Sequence, residues 1–210
     1  TLFRSRAAFK PLVDRIADTD IRLQWFCCDR STGVTDASGK RVTLIRDTKY
    51  PVSVEYQTVK FIGTGRDNIK AGVFSGWELG DYIYLRSEEA YMIKMEALAH
   101  KGSADAITEL NSFMKTRQPD YNYTFTNKAD LIEEIIYQKR VEFWGEGLEY
   151  IDNRRLNIPV DRTDETWGAE NNNHFSAGKF RYNQEERPFL YQLPLSEIEN
   201  NSQLSPTDQN

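Results

Sequence analysis

Glu142 and Glu146 stand four residues apart in the run YQKRVEFWGEGLEYIDNRRL (137–156), with Lys139 and Arg140 just ahead of them. Two carboxylates flanking a cleft are what glycoside hydrolysis needs, one as acid and the other as base or nucleophile. Helical i,i+4 spacing beside two cations is also the pattern of a structural ion-pair cluster, and that reading is preferred. Arg140 carries the sharper constraint. It falls on the apolar stripe of Ile132, Ile136 and Phe143, where a guanidinium that keeps its proton needs a carboxylate from a neighbouring element. Upstream, Leu85, Glu89, Met92, Glu96 and Ala99 share one helical stripe, so Glu89 or Glu96 is expected to meet Arg140 across a helix–helix contact. Gly145 and Gly147 then end the helix or admit a close neighbour.

The elements that must position these residues are mainly helical. A first helix is expected over about 81–101, stopped by Gly102. Ser103 can cap a second, ADAITELNSFMKTR, whose Ala106, Leu110, Phe113 and Met114 make an apolar face. A third is expected over 127–146. The first two, antiparallel across a tight turn, resemble one tetratricopeptide-like unit, and one such unit cannot bury its own face.

Either side of this helical region (81–150) the chain reads as irregular. Residues 1–80 carry turn signals at TGVTDASGK (32–40) and GTGRDN (63–68), strand-like runs at VTLIRD (42–47) and VSVEYQTVKF (52–61), and a short helix in AFKPLVDRI (8–16). Residues 151–210 include a polar, Asn-rich loop (161–188) with Trp167, Phe175, Phe180 and Tyr182 interspersed. Long polar loops with isolated aromatics suit a sugar-binding surface, and equally suit aromatics that pin a loop to the body.

Composition narrows the function classes. A net charge of −5 argues against a nucleic-acid groove. With 39% hydrophobic and 12% aromatic residues the chain is globular. Cys27 and Cys28 are adjacent, so a bridge between them would be strained, and two cysteines exclude a disulfide scaffold. His100 and His174 have no soft ligand near them in sequence, and Asp161, Asp164 and Glu165 lack the spacing of a calcium loop. No metal or cofactor is expected. No apolar run approaches the length of about 18 residues that a membrane helix needs. TLFRSRAAFKPLV has no long apolar core and does not read as a secretory leader.

The signature stretch resembles the C-terminal motif of the SusD/RagB family, through Lys139, Arg140, Glu142, Phe143, Glu146, Gly147, Asp152 and Arg155. Gln138 stands where the family usually has an acid, and Glu149 where it usually has a base. Two further segments are similar to family patterns in the same order: YLRSEEAYMIKMEALAHKG (84–102), through Arg86, Glu89, Glu96 and Ala97, and LPLSEIENN (193–201), through Pro194, Glu197, Ile198 and Asn201.

The resemblance implies a SusD-like, mainly α fold: a tetratricopeptide-like hairpin plus a long irregular region with a few short strands. It implies a glycan-binding subunit, not an enzyme, that captures oligosaccharides and delivers them to a SusC-like TonB-dependent barrel. The alternative is a helical-repeat subunit for proteins or peptides without glycan affinity. The resemblance also implies a surface-exposed outer-membrane lipoprotein, with its leader and lipid anchor upstream of Thr1. The chain would be the C-terminal portion, its N-terminal half completing the helical stack. The signature residues Glu89, Glu96, Arg140, Glu142, Glu146, Gly147, Asp152 and Arg155 are then structural. Trp25, Trp77 and Trp167, tryptophans flanked by polar or glycine residues, are the candidate sugar contacts.

Overall fold

Gly102 shows how the helical core is punctuated. Helix α2 (Ser87–His100) ends in a Schellman motif, with Gly102 at φ +72°. The Ser103 N–H donates to the Leu98 carbonyl and the Gly102 N–H to that of Ala99, both at 3.0 Å, which satisfies two of the last carbonyls. The Ser103 hydroxyl then accepts the Asp105 N–H at 3.2 Å and opens helix α3 (Asp105–Lys115). Helix α4 (Lys128–Glu142) begins the same way, the Asn127 side chain accepting the Asp130 N–H at 3.0 Å.

The computed structural model describes residues 8–27, 56–58, 60, 84–186 and 193–208. The expected turns at 32–40 and 63–68, the strand at 42–47, Cys28 and Trp77 lie outside these residues. The chain divides into two compact units, 1–144 and 145–210.

In the first unit, α2 packs on both α3 and α4. Met92, Met95 and Ala99, Ala106, Leu110 and Met114, and Leu131 and Ile135 are among the buried apolar residues of the three helices. A second apolar cluster joins α4 to the N-terminal segment: Val13 of helix α1 (Lys10–Asp14), Ile16, Leu23 and Phe26 gather with Tyr56, Tyr137 and Val141. A 3₁₀ turn (Ile21–Trp25) follows α1, its N–H at Arg22 held by the Asp20 carboxylate at 2.8 Å. Strand β1 (Phe26–Cys27) then pairs antiparallel with β2 (Gln57–Thr58), Phe26 opposite Thr58.

Two helix boundaries depart from expectation. Among the described residues α2 starts at Ser87 rather than near 81, because Arg86 is extended (φ −123°, ψ 148°) and reaches instead to the end of α4. Helix α4 stops at Glu142, four residues early. Gly145 and Gly147 both adopt positive φ, +77° and +88°, which breaks helical geometry. A Cβ at Gly147 would meet no heavy atom within 4 Å, so conformation rather than close approach is what requires glycine there.

The second unit holds α5 (Leu148–Arg155), a short antiparallel pair β3 (Val160–Asp161) and β4 (Arg181–Tyr182), α6 (Asp164–Trp167) and α7 (Leu195–Asn200). Its buried side chains among the described residues are polar: Asn153, Asn172 and Gln184.

Candidate functional site

The last residue of α4 is the electrostatic centre of the first unit. Glu142 is 1% exposed, and three arginines from three other segments converge on it. Arg117 donates from Nη2 to Oε1 at 3.0 Å and from Nε to Oε2 at 3.3 Å. Arg86 donates to Oε1 at 3.1 Å and Arg22 to Oε2 at 3.4 Å. A carboxylate at a helix C-terminus opposes the negative end of the macrodipole, so it persists here only with cations around it. Lys60 adds another, its ammonium donating to the Glu142 and Trp144 carbonyls at 2.6 and 3.0 Å.

Burial works to raise the Glu142 pKa, but the Arg117 hydrogen bond and the charges of Arg22, Arg117 and Arg86 outweigh it and hold the group below the usual carboxylate range. A general acid needs the opposite shift. Glu142 is thus no proton donor, and both its oxygens are already taken by guanidiniums, which is the geometry of a structural ion-pair cluster. Arg22 is itself 1% exposed and is chelated by Asp20, at 2.7 Å from Nη2 and 3.1 Å from Nε. Its Nη2 also donates to Gln138 Oε1, while Gln138 Nε2 donates to Glu134 at 2.7 Å. The amide bridges a cation and an anion, which an ionised acid at 138 would not do.

The other signature residues take local roles. Lys139, the residue just before Arg140, meets Glu96 at 3.2 Å, between two side chains each 6% exposed. His100 lies 3.7 Å from the other Glu96 oxygen. Glu89 is half-buried in the first turn of α2 and Arg140 half-buried on α4. In the second unit Gly147 precedes α5, Asp152 pairs with Arg155 one turn on at 2.7 Å, and Glu146 is half-buried. Arg86 lay inside a family-like motif; Arg22 and Arg117 belong to no periodic pattern and gave no signal.

A cleft of about 320 Å³ opens beside α4 in the first unit. Tyr121, Tyr123 and Tyr137 line it, with Arg15, Asp120 and Asn122. The Tyr121 and Tyr123 rings lie nearly parallel, 18° apart with centroids 6.4 Å apart. Glu134 fixes the floor: its carboxylate accepts the Tyr121 hydroxyl at 2.9 Å, Gln138 at 2.7 Å and Arg15 at 2.5 Å. Burial, then the Glu134 charge and hydrogen bond, raise the Tyr121 pKa, so the phenol stays a donor. Arg15 also lies over the Tyr137 ring, 3.9 Å from its centroid.

Of the three tryptophans, Trp25 packs against the apolar cluster, with the Lys60 ammonium 4.7 Å over its ring. Trp167 is 38% exposed, its indole N–H donating to the Asp161 carbonyl at 3.0 Å. Phe175 nearby in sequence is 75% exposed. Two acids of this loop, Asp161 and Asp164, are engaged by protein donors. Asp161 accepts from Thr163 at 3.0 and 2.7 Å, from Thr166 at 2.7 Å and from Arg181 at 2.8 Å. Burial opposes its ionisation, but these bonds hold the carboxyl down at about 2. Asp164 accepts Lys179 at 2.7 Å and Asn172 at 2.8 Å. No cluster of three metal-ligating side chains occurs among the described residues.

The fold is thus mainly helical, with Glu142 and Glu96 each engaged by cations in the first unit. A model of the SusD family matches residues 11–210, and the chain belongs to that family. Among solved structures it is similar to a SusD-like carbohydrate binding protein from Bacteroides vulgatus, at 21% identity with a TM-score of 0.53. That match covers 92% of this chain and 40% of the other, so the chain spans well under half of that protein's length. No curated protein matches the sequence.

Proposed function

We propose that the chain is part of a cell-surface glycan-binding subunit that captures oligosaccharides and delivers them to a TonB-dependent outer-membrane transporter. The SusD family match across residues 11–210 carries this reading. The relative from Bacteroides vulgatus, described as carbohydrate binding, supports it. Capture needs no covalent chemistry, only aromatic faces and polar edges; Trp167 and Phe175 expose such faces in the second unit, and Trp25 and Trp77 remain proposed contacts. The helical-repeat reading draws on α2 and the residues before it, where Tyr84, Leu85, Tyr91 and Ile93 are all more than half exposed and offer an apolar surface to a protein partner.

The test is a detergent pull-down of the full-length native protein from outer membranes, with mass spectrometry of what accompanies it. Co-purification of a TonB-dependent barrel is expected. A lone soluble protein without lipid would overturn the surface reading and bring the helical-repeat subunit forward.

A further inference from the structure

We infer that the cleft beside Tyr123 is a carbohydrate subsite for a short stretch of neutral sugar, an assignment that rests on the glycan capture proposed above. Its volume, about 320 Å³, sits at the low end of the roughly 300–1,000 Å³ of small-molecule sites, which suits one or two sugar rings rather than a long chain.

Its lining has the two chemistries that a sugar needs. The half-buried Tyr123 ring offers a plane for a C–H face, and Asn122, Gln118 and Asp120 offer amide and carboxylate edges for hydroxyls. Tyr123 is the half-buried ring of the three, and its position is fixed from both ends. Its N–H donates to Asn111 Oδ1 at 2.7 Å, and its hydroxyl donates to the Asp130 carbonyl at 3.1 Å. Tyr121 and Tyr137 form the deeper wall, their hydroxyls donating to Glu134 and to the Leu12 carbonyl. A wall whose side chains are already hydrogen-bonded loses little entropy when a ligand arrives.

Charge selects the sugar class. Among the lining acids, Asp20 is matched by Arg22 and Glu134 by Arg15. Asp120 is left at the rim with a neutral partner, the Thr19 hydroxyl at 2.6 Å. That hydrogen bond, more than the opposing effect of burial, lowers its pKa, so the rim stays anionic at neutral pH. A uronate or sulfated sugar would meet like charge there, and a neutral one would not.

The experiment is hydrogen–deuterium exchange and calorimetry on the full chain with malto-, cello-, xylo- and manno-oligosaccharides, and with an oligogalacturonate as the acidic probe. Binding of a neutral probe should slow exchange in residues 118–123. Asn122→Ala, an exposed position that leaves the fold intact, and Tyr123→Ala should each weaken it by about tenfold or more. Oligogalacturonate should bind at least about tenfold more weakly than the best neutral probe. Neutral binding with protection elsewhere, for instance over 161–178, and both variants unchanged would overturn the subsite while leaving glycan capture standing. Tighter binding of the acidic probe at 118–123 would overturn the neutral assignment. No binding of any probe would overturn glycan capture itself, and the subsite with it.

Discussion

At Glu142 one carboxylate answers three guanidiniums whose own exposure differs, and that difference sets what its loss costs. Arg86 and Arg117 side chains are 17% and 21% exposed and can turn toward water. Arg22 is 1% exposed and cannot, although Asp20 and Gln138 still hold it. Removing one partner of a buried ion pair costs about 3–5 kcal/mol, so Glu142→Gln is expected near the low end, about 3 kcal/mol, in urea unfolding. Its pH signature follows from the sign of the shift. A carboxyl held below its unfolded value stabilises the fold fully above the ordinary glutamate range, and that contribution drains as pH falls through the folded value. Asp161 acts in the same direction down to about 2. Stability should therefore fall on acidification below the ordinary carboxylate range, and Glu142→Gln should flatten that slope. A variant with an unchanged pH slope would remove Glu142 from the account.

At the scale of the element, the helices were legible because their stops are written in local chemistry. Gly102 and Ser103 announce the turn between α2 and α3, and the structure uses both as the sequence predicts. Gly102→Ala would force a Cβ into φ +72° with nothing nearby to clash, so the cost is purely conformational, about 1–2 kcal/mol, read as a lowered urea midpoint. A midpoint unchanged from wild type would mean that the Schellman turn does not hold the hairpin. The Lys139–Glu96 contact was less legible for a geometric reason. Stripe logic assumes one buried face, yet Glu134 to Lys139 are buried without a break, on all sides of α4. With the whole circumference covered, neighbouring positions 100° apart both face packed surface, and Lys139 meets Glu96. Glu142 was beyond periodicity altogether: its arginines stand 120, 56 and 25 positions away.

Across the whole molecule the two units are built from different forces. The first buries methionines, leucines and isoleucines on three packed helices, and that apolar pattern is what a sequence displays. The second buries Asn153, Asn172 and Gln184, and among its described residues no large apolar side chain is fully buried. It is held by directional bonds: Arg154 to the Gln184 carbonyl, Gln184 to that of Ile158 at 2.5 Å, and Asn172 to Arg162 and Asp164 at 2.9 and 2.8 Å. Each such bond contributes only about 0.5–1.5 kcal/mol net, against about 1.5–3 for burying a leucine- or phenylalanine-sized side chain. Polar networks also leave no periodic trace, which is why 151–210 read as merely irregular. The units should then open at different free energies. In native-state hydrogen exchange under rising urea, amides of α5 and the β3–β4 pair are expected to exchange well before those of α2 and α4. Coincident exchange of both sets at every urea concentration would mean that they unfold as one cooperative body, and that the polar network of the second unit is as strong as the apolar core of the first.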